Sequence, residues 1–436
     1  MSCLQTARLY DTSHPRFERA LDEAYQSLTA VLGQQDELVI GIVGEELACE
    51  REIMFELSRM LRTMILYLKA RGIERIVFAA ALEKEELRAL ITFLRMAKDE
   101  ARGTPAEYLS RAGVRHIAVG RLVGVARGDS PQDGNGGEPD APGLYDSAME
   151  SCSSAVMSAL NLEDVDYLNL RFTVNNVLEG LLGKYQDFLK VAFLKRFDQG
   201  TFIHSMNVSV LSMFLASRLG MGKDDVLDIG IAALFHDIGK LYVSRKIITK
   251  AERLSDEEFA KIKGHTVLGA ELLLRQVGAL GMLPVLVAFE HHMKNDFRTY
   301  PRVLYPREPH YASSLISMCD IYDALFQRRS YKANYPPNLV YDIMMRERDR
   351  YFRPALADEL FRKMGVWPTG AIVQLSDNSV AVVRDVNEDS IHCPRVEVVF
   401  PQEQRRMIDL EEAKGWLKVE KALDPLTEGS EYRAYV

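Results

Sequence analysis

Two rhythms of apolar residues alternate over the first 120 positions. ELVIGIV (Glu37 to Val43) and ERIVFAA (Glu74 to Ala80) are short β-branched runs that predict strands. Between them Ile53, Leu57, Met60, Leu61, Met64 and Leu68 recur at helical spacing, and the pattern stops near Gly72. Glu83 to Lys98 predicts a second amphipathic helix, and VRHIAV (Val114 to Val119) a third strand. Residues 1–125 therefore read as a small α/β domain, sensory or dimerising. Its Met and Leu stripe belongs to a core or a dimer face rather than to a cofactor site. No aspartate stands after a strand in the manner of a phosphoacceptor.

The rhythm breaks at RGDSPQDGNGGEPDAPG, residues 127–143, where Gly, Pro, Asp and Asn dominate. Such a composition buries too little apolar surface to offset its ordering entropy, so residues 126–145 are expected to form a flexible linker. Residues 146–365 carry mostly helical periodicity. AIVQLS, SVAVVRDV and HCPRVEVVF, separated by DN and NEDS turns, predict a small antiparallel β appendage over 366–436. The expected fold class is mainly α: a helical bundle with a metal site, preceded by the α/β domain and followed by the β appendage. No internal repeat is visible.

Composition narrows the function. The chain has 436 residues, 47% of them apolar and 27% charged, enough for true cores and ordinary for a globular protein. A length of this kind suggests about two to four domains. Its 54 basic and 62 acidic residues give a net charge of −8, which argues against a duplex-DNA binder while leaving room for a local basic pocket. The N-terminus has no apolar core of secretory length, and the longest apolar stretches, such as Leu283 to Phe289, are too short to span a bilayer. Cys3, Cys49, Cys152, Cys319 and Cys393 are scattered, as free thiols in a reducing compartment are. The expected location is the cytoplasm, without membrane insertion.

Chemistry concentrates in the helical region, which holds six of the nine histidines: His204, His236, His265, His291, His292 and His310. IAALFHDIGK sets His236 beside Asp237 at the end of an apolar helical run. Adjacent helix residues point about 100° apart, so the two converge most easily on an ion at the helix edge. Asp320 and Asp323 in SMCDIYDAL lie one turn apart on one face. Imidazole and carboxylate without thiolate suit iron, manganese or zinc, and a shared carboxylate suits two ions held close together. Taken singly, His265 is an ordinary satisfied or exposed histidine, Asp320 a cap or half of an ion pair, and His310 structural. The set carries the inference.

That set resembles the HD-GYP family of cyclic dinucleotide phosphodiesterases, a branch of the HD phosphohydrolases. The resemblance covers about residues 195–350 in five blocks in order: FIHSMNVSVLS, LFHDIGK, LSDEEFAKIKGHTVLGAELL, HHMKNDFRTYP and DIYDALFQRRSYK. It implies that His204, His236, Asp237 and Asp320 hold one divalent metal ion, and that Asp237 bridges to a second carrying His265, His291 and His292. Iron or manganese is the expected metal. Two such ions lower the pKa of a bridging water and stabilise both oxygens of an in-line displacement, so hydroxide opens the ring to the linear dinucleotide without a protein nucleophile. Asp237 and Lys240 are the expected catalytic residues. Lys240, four residues after His236 and on the same helical face, is expected to reach the scissile phosphate or the nucleophile. Arg329 and Lys332 match basic positions used on substrate phosphates, although RRSYK by itself reads as a solvated helix end. Tyr300 either stacks on a base or packs under the loop.

Two departures from the family pattern matter. The signature loop normally runs His-His-Glu-Arg-x-Asp-Gly-x-Gly-Tyr-Pro; here Met293, Lys294, Phe297 and Thr299 replace the Glu, the Arg and both glycines. Glycine there supplies positive φ or close approach to a ligand, so the loop is expected to differ in shape. Gly200 stands where some members carry an acidic ligand to a third metal, with Asp198 out of phase, and a dinuclear site is expected. The leading expectation is a phosphodiesterase acting on cyclic di-GMP or a related cyclic dinucleotide such as cyclic GMP-AMP, with a possible homodimer. The alternatives are a degenerate sensor or docking module without turnover, and a phosphohydrolase of mononucleotides, which the His-His pair and RRSYK disfavour.

Overall fold

A computed structural model describes the chain outside residues 1–5, 7–13, 34, 45, 50–51, 97–103, 121–140, 196–200, 249, 251, 295–299, 306 and 327–334. It divides into two compact units: Met1–Gly124 with Tyr167–Phe172, and Val125–Asp166 with Thr173–Val436.

The first unit is built on a five-stranded antiparallel sheet, in spatial order Glu52–Ile53, Glu46–Cys49, Glu37–Val43, Arg75–Ala79, Ile117–Gly120. Strand alternation sends Leu38 and Ile42, with Phe78 and Ile117, to one face. There they meet Phe17 and Leu21 of helix Pro15–Leu32 and Leu87, Leu90 and Leu94 of helix Lys84–Arg95. Val39, Val43 and Ala48 point the other way, to Leu168 and Phe172. Helix Pro15–Leu32 and the strands Glu46–Cys49 and Glu52–Ile53 add to the elements expected from periodicity. The third strand is shorter than its apolar run, because Glu86 takes the Arg115 and His116 amides at 2.6 and 3.0 Å. The Met and Leu stripe divides: Leu68 is core and Leu61 and Met64 pack on it, whereas Leu57 and Met60 are exposed.

The second unit begins with helix Ala141–Leu160, which corrects the expected linker. Residues 126–140 lie outside the described residues, but 141–145 are helical, with Leu144 and Tyr145 buried. Helices Thr201–Arg218 and Tyr311–Phe326 are apolar almost all round and run through the middle of the unit. The first packs against Lys223–Phe235 and the second, while helix His265–Leu274 packs against Leu283–Glu290 and the 3-10 turn Ile238–Tyr242. Ser255 and Glu258 form a capping box that starts helix Asp256–Lys263. Residues beyond 370 form a second five-stranded antiparallel sheet, Val419–Leu423, Ile372–Leu375, Val380–Asp385, Arg395–Phe400, Arg406–Asp409. The chain is thus mainly helical, with a small α/β part before and antiparallel strands after, as its periodicity predicts. Among the described residues no helix is long and apolar enough to cross a membrane. Among the described residues Cys49, Cys152, Cys319 and Cys393 form no disulfide.

Candidate metal centre

Five short pieces of helical chain meet at one buried point. His204 lies in helix Thr201–Arg218. His236 caps the C-terminus of Lys223–Phe235, and Asp237 follows it. His265 opens helix His265–Leu274, His291 caps Leu283–Glu290, and Asp320 and Asp323 sit in Tyr311–Phe326. Helix termini are suited to this role, since their last residues turn away from the axis and several can face one centre.

Asp237 is the hub. Its Oδ2 lies 3.3 Å from His236 Nε2 and 3.9 Å from His204 Nε2, and Oδ1 lies 3.3 Å from His265 Nε2 and 3.5 Å from His291 Nε2. Asp320 Oδ1 is 3.0 Å from His204 Nε2 and 3.9 Å from His236 Nε2. The ligand atoms fall into two groups that share Asp237: His204, His236 and Asp237, and Asp237, His265, His291 and His292. His292 is half-buried; the others are buried.

Backbone carbonyls set the tautomers. His236 Nδ1 donates to the Ala233 carbonyl at 2.7 Å, His265 Nδ1 to Ile262 at 2.6 Å, and His291 Nδ1 to Val287 and Ala288 at 3.0 Å. Each ring consequently turns an Nε2 lone pair inward. His265 Nε2 and His291 Nε2 then stand 3.2 Å apart as two lone pairs, an arrangement that a cation relieves. His236 Nε2 and Asp237 Oδ1 are buried without a hydrogen-bond partner. His204 differs, because its Nδ1 donates to the Asp323 carboxylate at 2.8 Å.

The electrostatics point the same way. Burial alone would raise the Asp237 pKa, but the Lys240 ammonium and His236 hold it well below the usual carboxylate range. Asp320 is likewise held low against its burial, chiefly by His204. Burial pushes His291 down, and burial with His291 beside it pushes His292 well down, so both favour the neutral imidazole that a metal ligand needs. Burial would also lower His204, yet Asp320 and Asp323 raise it to about 10. Three clustered carboxylates favour positive charge at this spot, and neutral imidazoles supply the donors. This buried His/Asp cluster suits a divalent metal.

Other expected residues fall as follows. Lys240 is not on a continuation of the His236 helix: that helix ends at Phe235, and Lys240 belongs to the 3-10 turn, which brings its ammonium onto Asp237 Oδ2. The turn lies so close to helix His265–Leu274 that only a glycine fits at 239; a Cβ there would be 2.0 Å from the His265 carbonyl oxygen. The Tyr300 ring stands 4.7 Å from His292 and 6.2 Å from His265, at the edge of the cluster, and burial raises its pKa. Met293 is buried, and Lys294 Nζ lies 3.1 Å from the Tyr351 ring centre. His310 caps helix Tyr311–Phe326 by accepting from the Ala312 amide at 3.2 Å. Arg329, Lys332, Asp198, Gly200, Phe297 and Thr299 lie outside the described residues. The sequence reading did not assign roles to Asp323, Asn207 or Glu290. Asn207 follows His204 by three positions and Asp323 follows Asp320 by three, so helical phase was the available signal. Glu290, fully buried, pairs with Arg307 and accepts from the His310 amide at 2.7 Å, tying both to the end of helix Leu283–Glu290.

Comparison with known proteins matches the same stretch of chain. Residues 201–325 match the family model of the HD domain. A cyclic di-GMP phosphodiesterase of Pseudomonas aeruginosa is 32% identical over 239 residues, which are 54% of this chain and 56% of that protein. A cyclic di-GMP phosphodiesterase of Thermotoga maritima is 33% identical over 171 residues, 38% of this chain and 46% of that one. A 3'3'-cGAMP-specific phosphodiesterase of Vibrio cholerae is 28% identical over 157 residues, 36% of this chain and 30% of that one. The chain thus spans about half or less of the length of these relatives. Its helical unit carries an HD domain. With the five motif blocks in order, the chain is similar to the HD-GYP family.

Proposed function

We propose that the chain is a metal-dependent phosphodiesterase that hydrolyses cyclic di-GMP, or a related cyclic dinucleotide such as cyclic GMP-AMP, to the linear dinucleotide. The observation that carries this reading is the divided carboxylate of Asp237, one oxygen facing His204 and His236 and the other facing His265 and His291. In this reading His204, His236, Asp237 and Asp320 hold one divalent ion, and Asp237, His265, His291 and His292 hold a second, with iron or manganese as the metal. Bound there, the ions supply Lewis-acid activation of water and neutralise charge on the phosphoryl oxygens.

The chain's own residues do the rest. The backbone carbonyls of Ala233, Ile262, Val287 and Ala288 keep the inner nitrogens unprotonated. The Lys240 ammonium, a quarter exposed and resting on Asp237, is placed to hold a phosphate oxygen and to protonate a leaving ribose oxygen. Overall, a water oxygen bonds to phosphorus, one phosphorus–ribose oxygen bond breaks, and the water's proton ends on the released hydroxyl. Tyr300, beside His292, offers a stacking face for a base. Arg329 and Lys332 enter as phosphate contacts by motif position. The same relatives include enzymes named for cyclic di-GMP and for 3'3'-cGAMP, so both substrates belong in the test.

The second reading, a sensor that binds without turnover, draws on the loop: Met293 is buried and Lys294 lies over Tyr351 where the family carries Glu and Arg. Anaerobic incubation of iron- or manganese-loaded protein with each cyclic dinucleotide, resolved by chromatography, separates the two. A linear product that disappears in Asp237→Ala supports the enzyme. Binding with both substrates left intact supports the sensor.

A further inference from the structure

A polar chain leads away from the metal centre into the core of the helical unit. His204 Nδ1 donates to Asp323 Oδ2 at 2.8 Å, and Asn207 Nδ2 donates to Asp323 Oδ1 at 3.3 Å. The Tyr145 hydroxyl, from helix Ala141–Leu160, donates to Asn207 Oδ1. Tyr145, Asn207 and Asp323 are each 1% exposed or less. Val208, Val210 and Leu211 of the same helix as Asn207, and Tyr322 next to Asp323 in sequence, are buried as well.

Burying a hydroxyl, an amide and a carboxylate in such surroundings is unfavourable unless every one is matched. Here the donors are arranged in one sense. Tyr145 takes the amide oxygen, which leaves the amide nitrogen of Asn207 facing Asp323. The reverse orientation would set a carbonyl against a carboxylate. Asp323, held on one side by Asn207, presents its other oxygen to His204, where it accepts from Nδ1 and fixes the orientation of the ring. The remaining nitrogen, Nε2, faces Asp320 and Asp237.

We propose that Tyr145 and Asn207 are positioning residues for His204: Tyr145 orients the Asn207 amide, Asn207 orients Asp323, and Asp323 presents His204 Nε2 to the metal. The inference rests on the reading that His204 is a metal ligand. It assigns a role in metal binding to helix Ala141–Leu160, which contributes no ligand itself.

The experiment is a double-mutant cycle on the full chain, with Co²⁺ titrated into metal-free protein and followed by its ligand-field absorbance. Urea unfolding of each metal-free variant runs alongside. Asn207→Leu is expected to weaken Co²⁺ binding by about 10–100-fold, the usual range for loss of an outer-shell partner. Tyr145→Phe, one link further out and matched in shape, is expected to weaken it by about 3–10-fold, with a lowered unfolding midpoint because the buried Asn207 Oδ1 loses its donor. The double variant should bind like Asn207→Leu alone, because Tyr145 acts only through Asn207. Asn207→Ser replaces the leucine variant in the cycle if the latter does not fold. A merely structural tyrosine would leave Co²⁺ affinity alone whatever it did to the midpoint. Wild-type affinity in both single variants, or additive losses in the double, overturns the inference while the metal reading stands. A wild-type chain that takes up no metal overturns both.

Discussion

A Cβ on Gly239 would fall 2.0 Å from the carbonyl oxygen of His265, and 2.7 Å from the Gly269 amide nitrogen. The turn that carries Asp237 and Lys240 is therefore pressed directly on the helix that carries His265. The close approach brings one carboxylate within reach of histidines from both sides of the cluster.

Gly239→Ala accordingly has no small adjustment available, since the obstacle is backbone rather than a flexible side chain. Overpacking of this kind costs about 1–3 kcal/mol, and the strain falls between Asp237 and His265. The expected outcome is a lowered unfolding midpoint together with loss of metal from the purified protein, read by elemental analysis. An alanine variant with full metal content would contradict the geometry.

Glu290 is a buried acid whose partners, Arg307 and the His310 amide, lie beyond the signature loop. Its removal leaves the His310 N–H unmatched and an apolar void beside it. Glu290→Ala should lower stability by about 2–3 kcal/mol and open the chain near residue 307 to limited proteolysis. Arg307→Ala should cost as much or more at pH 7, since it leaves the buried Glu290 carboxylate without its counter-charge. A much smaller effect of Arg307→Ala would mean that the buried amide contact, rather than the ion pair, anchors the segment.

The first unit carries its own acid-sensitive contact. Burial alone would raise the Glu86 pKa, but the amides of Arg115, Glu83 and His116, with the His116 ring, hold it below the ordinary value. A carboxyl lowered in the folded state contributes stability above its unfolded pKa of about 4.3, and that stability fades as pH falls through the lower folded value. Glu86→Gln should thus cost about 2 kcal/mol at pH 7 and progressively less below pH 4. Denaturant titrations of both proteins at the two pH values check the sign.

Metal removal gives the complementary test. An ion bound only by the folded chain stabilises it by about 2.7 kcal/mol when present at a hundred times its dissociation constant. Chelation should lower the thermal midpoint and re-addition of manganese should restore it. In Asp237→Ala the midpoint should no longer respond to manganese, because both ligand groups lose their shared member.

Much of the site was legible before any coordinates. His236 and Asp237 adjoin, Asp320 and Asp323 share a helical phase, and the five blocks stand in order, all features of local sequence. Element types along most of the chain were legible for the same reason, since apolar periodicity reports one residue's neighbourhood. What failed was also local in cause. The linker composition runs a few residues into a helix whose Leu144 and Tyr145 are held by packing. Lys240 keeps helical spacing from His236, although the helix gives way to a 3-10 turn between them.

The sequence by itself determined the inventory of candidate ligands, their chemical type and the resemblance to a family, because residue identity and spacing within a block survive without knowledge of the fold. Tertiary structure decided which atoms meet. His204 and Asp323 are 119 positions apart, and Tyr145 lies 62 from Asn207. No periodicity links such pairs. Only the packing of separate helices selects which oxygen of Asp237 faces which histidines, and which buried donors stand behind them.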